Sequence, residues 1–153
     1  VKMADGIYNK FKSGILNGSY ILGTGATGRI PIYVALLNNS YSPNPDSDYL
    51  GQFIGTYQIA GTNYVAGGLA VSSPNIAEDD IGDQGVLYGT NIVWDNGTFT
   101  ARYAVLYGSS GAGVGSDPLI CWFDFTTDKA VTAGTFTMKW NNGAAGGAIL
   151  SCT

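Results

Sequence analysis

Apolar and polar residues alternate with a period of two along Thr98–Tyr107 (TFTARYAVLY). Phe99, Ala101, Tyr103, Val105 and Tyr107 fall on one side, with Thr98, Thr100 and Arg102 on the other. Successive side chains of a strand leave opposite faces, so this alternation predicts a half-buried β-strand. Phe136, Met138 and Trp140 alternate with Thr135, Thr137 and Lys139 in the same way, and Leu119–Phe125 is a third such segment. Gly85–Tyr88, Asn91–Trp94 and Ala148–Cys152 read as further strands, as does the whole of Gly134–Trp140. Ile30–Leu37 (IPIYVALL) is apolar at almost every position, which marks a strand covered on both faces. Pro31 has no N–H to donate and belongs at that strand's start or on an edge. Tyr64–Val71 (YVAGGLAV) reads as another strand, its Gly67-Gly68 pair marking a bulge or a close backbone approach.

A helical period appears once, in Asp5–Leu16 (DGIYNKFKSGIL), where Ile7, Phe11, Ile15 and Leu16 share a face. Asp5 reads as the N-cap and Gly18 as the stop. Tyr20–Arg29 is a glycine-rich connector, Asn38–Asp48 a turn-rich loop, and Ser73–Asp83 an acidic turn region. Tyr49–Tyr57 fits a short helix or an irregular segment. Asp95-Asn96-Gly97 and Asn141-Asn142-Gly143 carry the hairpin signal, because Asn and Gly tolerate the positive φ of tight turns. The pattern predicts one mainly β domain over residues 1–153, an antiparallel β-sandwich or flattened barrel with one short N-terminal helix. Phe99, Tyr103, Val105, Phe123, Phe136 and Met138 are expected to share one core.

Composition narrows the function. A chain of 153 residues buries about 70% of its extended surface on folding, so a core forms without metal or disulfide support. Charged residues make up 12%, about half the usual share, which suits a surface covered in part by partners. The net charge is −4 and the seven basic residues are scattered, so nucleic acid is not an expected partner. The small cluster of Lys2, Lys10 and Lys12 reads as a solvated helix face. No stretch reaches the ~20 apolar residues of a membrane span, and no signal-peptide core is expected at the N-terminus.

Candidate chemistry is sparse. The chain has no His, which excludes Ser-His-Asp and Cys-His catalysis within it. Cys121 and Cys152 are expected to be unpaired thiols, and two cysteines without His make a poor zinc site. Gly23-Thr-Gly25-Ala-Thr-Gly28 spells GxGxxG, but a strand follows it where a dinucleotide site needs a helix. Glu78, Asp79, Asp80 and Asp83 place four carboxylates in six residues, yet without the spacing of a calcium loop; a solvated turn accounts for them better. Asp95, Asp117 and Asp124 stand at strand ends or turns, with nothing to select a pair for glycoside hydrolysis. Trp94, Trp122 and Trp140 lie within strand patterns and are expected to pack in the core. Trp122 stands apart, because Cys121 and Phe123 face away from it. The residues predict no enzyme, no catalytic or metal-binding residues and no cofactor.

Three stretches resemble a family of small virion proteins of tailed bacteriophages and prophages. They are Ala4–Gly18 (ADGIYNKFKSGILNG), Val34–Asp46 (VALLNNSYSPNPD), and Ala101–Tyr107 with Pro118–Ile120, Asp124-Phe125 and Gly134–Trp140. The order is preserved over most of the chain, and the departure is at Gly23–Ile30, where the family runs a shorter polar turn. The resemblance implies a virion structural protein: a capsid decoration or cement protein on the outside of the shell, or else a tail, neck or baseplate component. Its implied partners are the major capsid protein and further copies of itself, most simply as a homotrimer at three-fold junctions, with Asn38–Asp48 and Tyr20–Arg29 making contacts. A carbohydrate-binding module is the alternative from a different class.

Overall fold

The computed structural model describes residues 5–22, 29–140 and 147–152. The GxGxxG segment 23–28, Asn141-Asn142-Gly143 and Lys2 lie outside the described residues. The elements run β1 (Gly6–Ile7), α1 (Asn9–Leu16), β2 (Ile32–Leu37), a 3-10 turn (Leu50–Gln52) and α2 (Ile54–Tyr57). They continue through β3 (Leu69–Ala70), β4 (Asn75–Asp79), β5 (Gln84–Gly89), β6 (Ile92–Gly108), β7 (Leu119–Met138) and β8 (Gly147–Cys152). One sheet has the order β1-β7-β6-β2-β3, the other β4-β5-β8, and all their strand pairings are antiparallel. Neither sheet closes on itself, so the fold is a sandwich and not a barrel.

The five-stranded sheet has a core on each face. β2 shows why: Ile32, Val34 and Leu36 join one cluster while Ala35 and Leu37 join the other. This is the covering on both faces that Ile30–Leu37 predicts. The first core lies between the sheets, where Leu87 of β5 and Ile149 and Leu150 of β8 meet Leu106, Ile120 and Phe123, with Phe11 of α1 beside them. The second lies on the opposite face, roofed by Tyr41, Leu50, Phe53 and Ile54 over Val105, Tyr107 and Leu119.

The single shared core predicted for six residues is therefore corrected to two. Phe99, Phe123 and Met138 are buried in the first core, and Phe136 is half-buried against it. Val105 is buried in the second, with Tyr103 half-buried beside it. The alternation of β6 changes face because Ala101 pairs with Lys129 but Tyr103 with Asp124. Arg102 alone thus stands opposite residues 125–128 of β7. Such an excursion reverses which parity faces inward, so Ala104 and Leu106 take over the first core from Phe99 and Ala101. Arg102 clamps the excursion: its Nε donates to Asp124 at 2.7 Å, and Thr126, at φ 65°, donates its N–H to the same carboxylate.

Other expectations are corrected locally. Asp95-Asn96-Gly97 is not a hairpin, since β6 runs straight through it as a bulge with Asn96 at φ 52°. Asn and Gly signal positive φ, and a bulge uses that as readily as a turn does. Leu119–Phe125 and Gly134–Trp140 are parts of one twenty-residue strand, which ends at Met138, two residues before Trp140. The strand at Tyr64–Val71 shrinks to Leu69–Ala70, while Gly67 and Gly68 both adopt positive φ. Ser73–Asp83 contains β4 and only then the acidic turn. The helix begins at Asn9, because Gly6 and Ile7 pair with Trp122 and Cys121 of β7. Asp5 is consequently no N-cap: its N–H bonds Trp122 O and its carboxylate accepts Asp124 N–H. Gly18, at φ 72°, follows the helix as expected. Tyr49–Tyr57 resolves into the 3-10 turn and α2.

Phe136 touches the rings of Trp94, Phe99 and Phe125 at centroid distances of 5.5 to 6.0 Å. Being half-buried, it sits at the low end of the range for aromatic truncation. Phe136→Ala is expected to cost about 3 kcal/mol in a denaturant melt, and a loss below about 1 kcal/mol would contradict its packing.

Candidate interaction surface

Four of the seven candidate carboxylates have a structural task, while Glu78, Asp80 and Asp83 are exposed. Asp79 closes the β4–β5 turn by accepting from the N–H groups of Ile81 and Gly82 and from Gln84 Nε2, all at 3.0–3.2 Å. The Gln84 amide foremost, with those backbone donors, holds the Asp79 carboxyl below its ordinary pKa. Asp95 accepts from Thr135 Oγ1 across β6 and β7. Asp117 is buried and braces the β6–β7 connection through Ser110 N–H at 2.7 Å and Ser110 Oγ at 2.9 Å. Asp124 is held by Arg102. Among the described residues no three metal-ligating side chains come together.

Cys121 is buried and Cys152 exposed, and both thiols are free. Trp94 and Trp140 are buried, as expected of core residues. Trp122 is half-buried edge-on to Tyr8, at 5.0 Å, on the face opposite Cys121 and Phe123.

Tyrosines furnish much of the second core. The Tyr8 and Tyr41 hydroxyls bond each other at 2.7 Å, and Tyr107 OH donates to Gly67 O at 2.8 Å. Burial pushes the pKa values of Tyr8, Tyr41, Tyr64 and Tyr107 up, and that of Cys121 likewise. These acids are neutral when protonated, so a raised folded pKa means the folded state keeps protons that the unfolded chain releases. Stability is then undiminished below the ordinary values, 9.0 for Cys and 10.0 for Tyr, and falls as pH rises past them. The expected slope is about 1.4 kcal/mol per pH unit for each fully suppressed group. Tyrosinate absorbance followed with circular dichroism should show these tyrosines ionising together with unfolding. Their ionisation near pH 10 in the intact fold would contradict their burial.

Among the described residues, two concavities with apolar floors can take partners. The first is an apolar cleft of about 270 Å³ between α1, the segment Tyr20–Leu22 and the three-stranded sheet. Its floor is Phe11, Leu22, Leu87 and Leu150, and its lip is Ile15, Ile21 and Ile76, each about half exposed. Leu16, the last residue of α1, is 89% exposed. The helical spacing of Ile15 and Leu16 suggests burial, but α1 buries Phe11 and Gly14 and turns those two outward. No sequence pattern distinguishes them from core residues, because the direction of α1 is set by the pairing of β1. The second surface is a groove of about 640 Å³ along β7, over Phe125, Val131 and Phe136 and rimmed by Asp128, Lys129 and Lys139.

The Asn38–Asp48 loop is pinned at several points. Tyr41 is buried, Asn9 N–H donates to Pro45 O at 2.8 Å, and Asn9 Nδ2 donates to Asp46 Oδ1 at 2.7 Å. Its exposed residues, among them Ser42 and Asn44, therefore offer a fixed surface. Among the described residues no helix is long and apolar enough to cross a membrane. No protein-family model, curated protein or solved structure matches this chain.

Proposed function

We propose that this chain is a structural protein of a tailed-phage virion, most specifically a capsid decoration or cement protein on the outer surface of the shell. It works by binding and not by catalysis. The observation that carries the reading is the lip of Ile15, Ile21 and Ile76 around an apolar cleft, on a protein with few charges. Half-exposed isoleucines grouped around a concavity mark a surface built to be covered. The sequence resemblance to tailed-phage virion proteins supplies the setting, the major capsid protein as partner, and trimeric self-association at three-fold junctions. Many equivalent contacts, each about the size of a standard interface of ~1,600 Å², would add up over a shell. The pinned Asn38–Asp48 loop suits the same task, since a contact already ordered loses little entropy on docking.

Antibody labelling of purified virions tests the reading: label over the heads supports decoration. Label confined to the tail selects the tail, neck or baseplate alternative, and unlabelled particles reject both. Ile21→Asp is expected to leave folding stability within about 0.5 kcal/mol, as exposed substitutions do, while releasing the protein from particles. Retention of the variant on heads would remove the cleft from the interface. The carbohydrate-binding alternative loses two of its three indole platforms to burial of Trp94 and Trp140, and selective binding on a glycan array would reinstate it.

A further inference from the structure

β7 is the longest strand, yet along its outer edge β1 covers only Cys121 and Trp122. Among the described residues, no strand pairs with that edge from Phe123 to Met138. An uncovered edge of this length is a template for another strand, and folds ordinarily shorten, cover or kink it. Here the excursion at 125–128 sets one end of the regular run, and Ala133, at φ 46°, kinks it near its middle. What remains is an open edge lying beside the groove over Phe125, Val131 and Phe136.

We propose that the occupant of this edge is β7 of a second copy, paired antiparallel about a two-fold axis between Ala133 and Gly134. The two five-stranded sheets then become one continuous sheet across the dimer. The register follows from side-chain faces and charge. Val131, Phe136 and Met138 turn inward, whereas Asp128, Lys129, Ala130, Thr132, Ala133, Thr135, Thr137 and Lys139 are exposed. A dyad between Ala133 and Gly134 sets Val131 opposite the second copy's Phe136, inward against inward, while Met138 at the end of the strand meets the exposed Lys129. It sets Thr132 opposite Thr135 and Ala130 opposite Thr137, exposed against exposed. It also sets Asp128 opposite Lys139, and symmetry makes that pairing twice. Shifting either strand by one residue sets inward positions against exposed ones. Shifting the dyad by one residue sets Phe136 opposite the exposed Lys129 or Ala133 and separates Asp128 from Lys139. Cross-strand apolar, threonine and opposite-charge pairs are the units that stabilise a sheet, and this register contains all three. The kinks of both copies fall on the dyad, so the two strands bend alike. Because the contact is self-complementary and closed, it makes dimers, not fibres. It leaves the isoleucine cleft free, so trimers on adjacent three-fold junctions can be linked through it.

The test needs only the purified protein, so its failure leaves the virion reading standing. Sedimentation at up to about 100 µM, which populates dimers with Kd below about that value, should give an even number of copies. The simplest case is twice the 16.0 kDa chain mass. Asp128→Lys and Lys139→Asp, each confirmed as folded by circular dichroism, should each weaken association by about tenfold or more, since each sets like charges opposite one another twice. The double variant, D128K with K139D, should restore association to near the unaltered level, which a role of either residue within its own fold would not produce. A monomer or an odd-numbered assembly overturns the proposal. So does association that survives the single reversals, or that the double variant fails to recover.

Discussion

Trp140→Ala is expected to cost about 5 kcal/mol of folding stability, a large share of the ~5–15 kcal/mol available to a domain. Trp140 is 1% exposed and packs on Phe123 at 5.4 Å, just past the end of β7. Its Nε1–H donates to Thr90 O at 2.6 Å and its backbone N–H to Asn91 Oδ1 at 3.1 Å. The side chain thus ties the end of β7 to the link between β5 and β6, where the two sheets exchange the chain. Truncation removes a large buried ring, about 3–5 kcal/mol, and strands the Thr90 carbonyl, about 1–3 kcal/mol. Trp94 supplies the comparison. It is equally buried, but its Nε1 has no hydrogen-bond partner among the described residues. Trp94→Phe should therefore cost clearly less than Trp140→Phe, because it removes a buried N–H that gains nothing from the fold. A denaturant melt in which Trp140→Ala loses less than about 2 kcal/mol would contradict the packing described.

Gly68→Ala is expected to cost about 3–5 kcal/mol, through backbone overlap as well as left-handed strain. Gly68 has φ 82°, and a Cβ there would overlap the Val34 carbonyl oxygen of β2. Flexible side chains can step aside from such an intrusion, but Val34 is a sheet residue buried in the first core and paired with both Leu69 and Leu106. The neighbouring Gly67 has φ 86° but meets only the movable Tyr107 hydroxyl, at 3.3 Å. Gly67→Ala should accordingly cost about 1–2 kcal/mol, the strain alone. Equal losses in the two variants would show that the approach of Gly68 to β2 is not what fixes the segment.

These glycines show what the sequence made legible. Gly67-Gly68 within an apolar run signals a bulge or a close backbone approach, and Gly68 makes the second, against Val34. The double-faced burial of β2 is visible in its unbroken apolar run, and a mainly antiparallel β domain, sandwich or flattened barrel, in the many short alternating segments. What escaped was where the alternation changes hands. Nothing in ARYAVLY indicates that Arg102 faces a four-residue excursion of β7, since the cause lies more than twenty residues away in Phe125–Asp128. The false hairpin at Asp95–Gly97 has a related origin: the local signal reports positive φ, while the partner strand decides between a turn and a bulge. The joining of two predicted strands into β7 was hidden because Thr126–Ala130 is exposed and polar. Only Lys129 and Ala130 of it pair with β6, so the strand resumes after the excursion through pairing and not through burial. The interaction surface was the least legible part, since Ile15, Ile21 and Ile76 look like core residues until the elements around them are placed.

A reconstruction of intact phage particles carrying this chain tests the central claim most directly. The account predicts the sandwich as density on the outer face of the capsid, at its three-fold junctions, with Ile15, Ile21 and Ile76 turned toward the major capsid protein. Particles in which density for this chain runs only along the tail would contradict the capsid role, and purified particles lacking the chain would contradict the virion role altogether.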